Sequence, residues 1–86
     1  LVMYKLRQTK RFQKDSGKLV KKRQNLILEK LSILASGNWD RLDLKKLKGS
    51  DNSYRIRSGN YRILFEKRES ELVIILISVK HRKEAY

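Results

Sequence analysis

The chain changes its hydrophobic period twice, and those changes divide it into elements. Met3-Tyr4-Lys5-Leu6-Arg7 alternates weakly, which predicts a short first strand running into a helix that the Thr9 hydroxyl caps. Phe12 is the only large apolar residue between Thr9 and the Asp15-Ser16-Gly17 break, so one or two helical turns are expected there, pinned through a single ring. From Leu19 the spacing becomes that of an amphipathic helix. Leu19, Leu26, Ile27, Leu31 and Leu34 recur at helical intervals, with Lys18, Lys21, Lys22, Arg23, Glu29 and Lys30 between them. Ser16-Gly17 marks the entry, and Gly37 the exit, where a residue without a β-carbon can turn left-handed. A polar connection from Asn38 to Asp43 carries Trp39, and Leu44-Lys45-Lys46-Leu47-Lys48-Gly49 leads into a second polar stretch ending at Ser53.

Beyond Ser53 the period is two. Tyr54-Arg55-Ile56-Arg57 alternates, Ser58-Gly59-Asn60 supplies a turn, and Tyr61 to Lys67 continues as a β-branched and aromatic strand. Arg68 to Glu71 makes the next turn. Leu72 to Val79 is apolar on both faces, as a strand with neighbours on either side must be, and Lys80 to Tyr86 is polar. The order predicts one α+β domain over residues 1–86: an N-terminal strand, a two-helix hairpin, then a mostly antiparallel sheet of consecutive C-terminal strands. Helices must cover at least one side of that sheet. Leu1 and Val2 read as a cloning remnant ahead of a natural start at Met3.

Charge narrows the function. Lys and Arg number 22 against 9 Asp and Glu, a formal +13, which is far more than solubility needs and calls for a polyanion or an acidic partner. The absence of cysteine excludes a disulfide scaffold and a thiolate zinc site, and a single histidine argues against a histidine-built metal centre, so neither metal nor cofactor is expected. The absence of cysteine also suits the cytoplasm. The longest apolar run, Leu72 to Ile77, is much too short to cross a bilayer.

The hairpin predicts its own register. A Gly-Asn pair at its centre favours a type II′ turn, because glycine accepts the positive φ needed at the first position. Ser58 then faces Tyr61, Arg57 faces Arg62, Ile56 faces Ile63, Arg55 faces Leu64 and Tyr54 faces Phe65. One side of the ribbon is Tyr54, Ile56, Ile63 and Phe65, a surface for the core; the other gathers Arg55, Arg57 and Arg62. Guanidinium groups placed together repel, so folding alone would not select the arrangement. A bound phosphate reverses the sign, since guanidinium forks take phosphate oxygens bidentately. The alternative is that a chain of +13 carries arginines on every wet face and these splay into solvent.

Other candidates carry less on their own. His81 is the only side chain that ordinarily titrates near neutrality and could be a general acid or base, or simply a surface residue. Arg82 and Lys83 could bind phosphate or be solvated, and Tyr86 could stack on a base or be an idle chain end. Trp39 and Tyr4 fit core or loop anchors. Among the acidic residues only Glu66 falls on the arginine side of the hairpin, which leaves no carboxylate pair for glycosidase or metal-dependent chemistry.

Leu47-Lys48-Gly49, Tyr54-Arg55-Ile56-Arg57, Gly59-Asn60-Tyr61-Arg62-Ile63 and Ser78-Val79-Lys80-His81-Arg82-Lys83-Glu84-Ala85-Tyr86 together resemble the RelE family of toxin–antitoxin ribonucleases, within the RelE/ParE superfamily. The resemblance covers nearly the whole chain. It implies the compact family fold, with helices packed on one face of a sheet. It also implies metal-free cleavage of messenger RNA in the ribosomal A site, where a 2′-hydroxyl attacks the adjacent phosphate and leaves a 2′,3′-cyclic phosphate and a 5′-hydroxyl. By position, Arg62, Arg82, Tyr86 and His81 would be the catalytic set, and Arg55, Arg57, Lys48 and Lys83 would bind substrate phosphates. Arg55 and Arg57 stand where some members carry lysine. Arginine is the poorer proton acceptor, which leaves His81 and Tyr86 as substitutes for the general base.

The reading that follows is a cytoplasmic toxin of a type II system, neutralised by a cognate acidic antitoxin and acting on messenger RNA and ribosomal RNA at the A site. The alternative is a ParE-like toxin that poisons DNA gyrase without cutting RNA. A plain RNA-binding module would need only the charge.

Overall fold

The computed structural model describes residues 3–83. Its elements run β1 (Lys5–Gln8), α1 (Lys10–Gly17), α2 (Lys21–Ala35), β2 (Leu44–Lys46), β3 (Ser53–Ser58), β4 (Tyr61–Arg68) and β5 (Val73–His81). Single 3-10 turns at Trp39–Arg41 and Glu69–Glu71 join them. The five strands form one sheet in the order β1-β5-β4-β3-β2, antiparallel except for β1, which lies parallel to β5.

Local chemistry accounts for the boundaries. Thr9 caps α1, its hydroxyl oxygen accepting from the Phe12 N–H at 3.1 Å. The helix runs on through Asp15-Ser16-Gly17, where the sequence suggested a break, and Lys18, Leu19 and Val20 form the link to α2. Gly37 closes α2 at φ +80, as its lack of a β-carbon allows. Ile27, Leu31 and Leu34 are the buried stripe of α2; they pack with Phe12 against Ile56, Ile63, Phe65, Ile74, Leu76 and Val79 of the sheet. Both helices therefore cover the same sheet face. Trp39 closes one end of this core, stacking on Tyr4 at 5.4 Å and donating its indole N–H to the Leu34 carbonyl at 2.9 Å.

The β3–β4 hairpin has the register read from its turn, with Arg57 opposite Arg62 and Ile56 opposite Ile63. Gly59 sits at φ +61 and Asn60 does not take a positive φ, the backbone pattern of a type II′ turn. Strand β5 lies between β1 and β4, in keeping with its apolar character on both faces. Three features depart from the sequence pattern. The segment after Asp43 forms a three-residue edge strand, β2, paired with β3. Leu72 is not the start of β5: it turns left-handed at φ +53, more than a third exposed, and the strand begins at Val73. The strand also continues through Lys80 and His81.

The third departure is accompanied by a bulge. Phe65 pairs with Leu76 and Leu64 with Ser78, so Ile77 is one extra residue in β5. Before it Ile74 and Leu76 face the helices; after it Val79 does. Backbone groups at the bulge are taken up by α1 and its cap residue. The Thr9 hydroxyl shares its one proton between the carbonyls of Leu76 and Ile77, both 2.9 Å away, and the Asp15 carboxylate accepts from the Val79 N–H at 3.1 Å. The bulge is thus braced by two side chains of one helical segment.

Candidate nucleic-acid interface

The face of the sheet away from the helices carries the charge. Alternation along β3 and β4 brings Arg55, Arg57 and Arg62 there, and the ladder partner of Arg62 on β5 is Lys80. At the end of β5 the chain turns. The Arg82 N–H donates to the Asn60 carbonyl at 2.7 Å, which ties the start of the tail to the hairpin turn. Two open clefts result. One, of about 360 Å³, is lined by Arg57, Gly59, Arg62, Arg82 and Lys83. The other, of about 230 Å³, is lined by Leu47, Arg55, Arg62, Leu64 and Lys80, so Arg62 belongs to both.

One carboxylate, from the segment before β2, braces this cluster. Asp43 lies 3.5 Å from the Arg55 guanidinium and 3.8 Å from that of Arg57. Its backbone carbonyl also accepts from the Arg55 guanidinium at 3.3 Å and from the Arg57 N–H at 3.0 Å. Asp43 is itself more than half exposed, so these pairs orient the arginines more than they stabilise the fold. The acid expected near them, Glu66, pairs instead with Arg68 at 3.2 Å.

Arg62 shows the electrostatic state of the site. Burial, and then the charges of Arg57, Arg55 and Arg82, lower its affinity for its proton below the ordinary guanidinium value, with Asp43 acting in the other direction. Positive charge is held here against its own repulsion. An anion set between these groups would relieve it, which is the arrangement that favours phosphate.

The candidates named from the sequence do not all meet. Arg55, Arg57, Arg62, Arg82 and Lys83 line the two clefts. Lys48 lies in an exposed turn with Gly49 and lines neither. Tyr86 falls outside the described residues. His81 faces the other way: it pairs with Tyr61 on the helix side, its ring meeting the Tyr61 ring edge-on at 5.1 Å while its Nδ1 accepts from the Lys83 N–H at 3.2 Å. There it lines a separate cleft with Asp15, Lys18 and Leu19. The cause is the bulge. Without Ile77, alternation from Leu76 would send His81 to the arginine face and Lys80 to the core; the extra residue exchanges them. Lys80 and Asp43 are the two members of the site that the sequence did not reveal. Among the described residues no three His, Asp or Glu side chains gather as a metal site would need, and no helix is long and apolar enough to cross a membrane.

Comparison with known proteins places this geometry in a family. Residues 6–86 match the family described as ParE toxin of the type II toxin–antitoxin system, parDE. Toxin RelE3 of Methanocaldococcus jannaschii is 46% identical over 67 residues, which span 78% of this chain and 74% of that protein. Among solved structures, the archaeal RelE–RelB complex from Pyrococcus horikoshii superposes with a TM-score of 0.81 at 28% identity, covering 93% of this chain and 96% of the other. The RelB–RelE antitoxin–toxin complex from Methanococcus jannaschii superposes with a TM-score of 0.79 at 35% identity, over 93% and 94% of the two chains. A toxin–antitoxin match along nearly the whole length, on a fold whose helix-free face is a cradle of cations, has one reading: this chain belongs to the RelE family of type II toxins, within the superfamily it shares with ParE.

Proposed function

We propose that this toxin is a metal-independent, ribosome-dependent endoribonuclease that cleaves messenger RNA in the A site, and that an acidic antitoxin neutralises it in the cytoplasm. The observation that carries the reading is the cleft in which Arg57, Arg62, Arg82 and Lys83 converge beside Gly59. In the reaction, the 2′-oxygen of one nucleotide attacks the adjacent phosphorus and the bond to the 5′-oxygen breaks. The 2′-hydroxyl gives up its proton to an acceptor and the leaving 5′-oxygen takes one up. The products are a 2′,3′-cyclic phosphate and a free 5′-hydroxyl. The pentavalent phosphorane carries the extra negative charge, and fixed guanidinium groups aimed at it lower the barrier without reorganising. Arg55 and Arg57 do not serve as bases, and His81 faces the helices. Proton transfer therefore falls to Lys80, Lys83 or Tyr86.

The RelE–RelB complexes among the neighbours support an antitoxin partner, and the +13 charge supports an acidic one that associates quickly by attraction. A second reading, a toxin of DNA gyrase, draws on the match to the ParE toxin family. Brief expression followed by primer extension on translated messages separates the two. Codon-phased breaks with cyclic-phosphate ends are expected; intact messages accompanied by gyrase-linked DNA breaks would overturn the nuclease reading in favour of the second.

A further inference from the structure

The two clefts on the cationic face share Arg62 but differ in chemistry. The first is cations around a glycine. The second keeps Arg55 and Lys80 but sets Leu47 and Leu64 among them, both half-buried on a sheet face that no helix covers. Phosphate gains nothing from leucine, and the core does not need these side chains, since it lies on the opposite face. A ligand that uses both halves of this cleft has an apolar face and polar edges next to a negative charge.

We propose that the second cleft is a nucleobase subsite, taking the unstacked base of the nucleotide next to the phosphate held in the first. This rests on the reading of the face as an RNA site. Single-stranded bases are recognised by stacking on guanidinium planes and flat or apolar side chains, with hydrogen bonds to their edges. Arg55 is prepared for that role: its side chain is only 12% exposed, and the Asp43 carboxylate and carbonyl hold its guanidinium before any ligand binds. Little ordering is then left to be done on association. Leu64 and Lys80 project from adjacent strands of the sheet, and Leu47 is anchored by its N–H to the Ser53 carbonyl at 2.9 Å. Stacking accepts every base. Discrimination falls to Lys80, whose ammonium donates and so prefers bases that turn a carbonyl or ring nitrogen towards it.

The test uses the intact toxin and a short RNA with a 2′-deoxy nucleotide at the scissile position, so that it binds without being cut, and 2-aminopurine as the neighbouring base. A saturable rise in probe fluorescence is expected, as the base leaves its stack for a cleft without an aromatic ring. Leu47→Ala should weaken binding by about tenfold, the scale of one stacked base, while an oligomer lacking that base binds wild type and Leu47→Ala alike; Lys80→Ala, which also removes a cation, should weaken binding of the intact oligomer more than of the base-free one. A probe that does not brighten, or an equal loss of affinity for the intact and base-free oligomers, overturns the proposal and leaves a backbone or acidic-peptide contact in its place. Lys80→Ala carries the test if Leu47→Ala melts early. Brightening without cleavage of translated messages would keep the subsite and remove the nuclease; cleavage without brightening would remove the subsite alone.

Discussion

Replacing Arg62 by alanine separates what this side chain does for the fold from what it does for a ligand. In the fold, its charged form is disfavoured by burial and by Arg57, Arg55 and Arg82. The sign follows from linkage. A base whose proton affinity falls on folding opposes folding while it stays charged, and a guanidinium stays charged at every pH in ordinary use. Arg62→Ala should therefore melt at or slightly above the wild-type temperature, with the difference constant from about pH 5 to 9. Ligand binding should move the other way. Each cation that neutralises a phosphate of a single strand adds about 0.7 to the slope of log K against log salt. The four cations of the first cleft then set a slope on the order of 3, and removing one lowers it by about 0.7. Cleavage should fall further, by about 10²- to 10³-fold, because that contact meets charge that develops in the transition state. Thermal melts, oligonucleotide affinity across a salt series, and cleavage in a reconstituted translation system measure the three quantities. Wild-type cleavage with an unchanged salt slope would refute the phosphate assignment, and a fall of about 10 °C or more in melting temperature would make Arg62 a structural residue instead.

Three further predictions concern the scaffold. Asp15→Ala removes the acceptor for the buried Val79 N–H at the bulge and should cost about 1 to 3 kcal/mol, seen as a drop of roughly 5 to 15 °C in a domain of this size; Asp15→Asn, which keeps an acceptor, should recover most of it. The Ser78 hydroxyl is buried beside the same bulge and makes no hydrogen bond, so Ser78→Ala should leave urea stability equal or improved, and a loss above about 1 kcal/mol would reveal a partner. Burial and the hydrogen bond to Glu69 push the Tyr4 hydroxyl up to about 12, so the neutral phenol is the form the fold favours. The stability it contributes is full below its ordinary value near 10 and is lost as pH rises through 12; Tyr4→Phe should erase that alkaline step from the phenolate titration and flatten the decline.

The hairpin was legible because its turn and its pattern agree. Gly59-Asn60 selects a turn, the turn sets the register, and the register sorts Ile56 and Ile63 from Arg57 and Arg62 without help from the rest of the chain. Helix α2 was legible for a similar reason, its buried stripe repeating within a few residues. What stayed hidden depends on contacts distant in sequence. Strand β2 is three residues with two lysines, and only pairing with β3 makes it a strand. The bulge at Ile77 lies inside an unbroken apolar run, where an extra residue leaves no compositional trace; it is recognisable only through Thr9 and Asp15, more than sixty positions away. Lys80 and His81 exchange faces as a consequence. Asp43 was hidden because it belongs to a connection, and no periodicity says where a connection points.

The two faces of the sheet divide the work, and the bulge is where they are coupled. Stability comes from the helix side, where Phe12, Leu34, Phe65 and Ile74 exclude water. The other side spends part of it by holding arginines together, braced among the described residues by the exposed Asp43 carboxylate. Such a face can be kept only if the strands beneath it are rigid, because repulsion would otherwise splay the side chains apart and lose the geometry a phosphate needs. Strand β5 is the place where that rigidity is at risk, since its bulge interrupts the ladder just before Lys80, Arg82 and Lys83. Helix α1 and its cap residue supply the missing partners through Asp15 and Thr9. These side chains, on the far side of the sheet from the arginines, therefore determine which residues the end of β5 sends to the cationic face: Lys80 joins the cradle, and His81 is turned away.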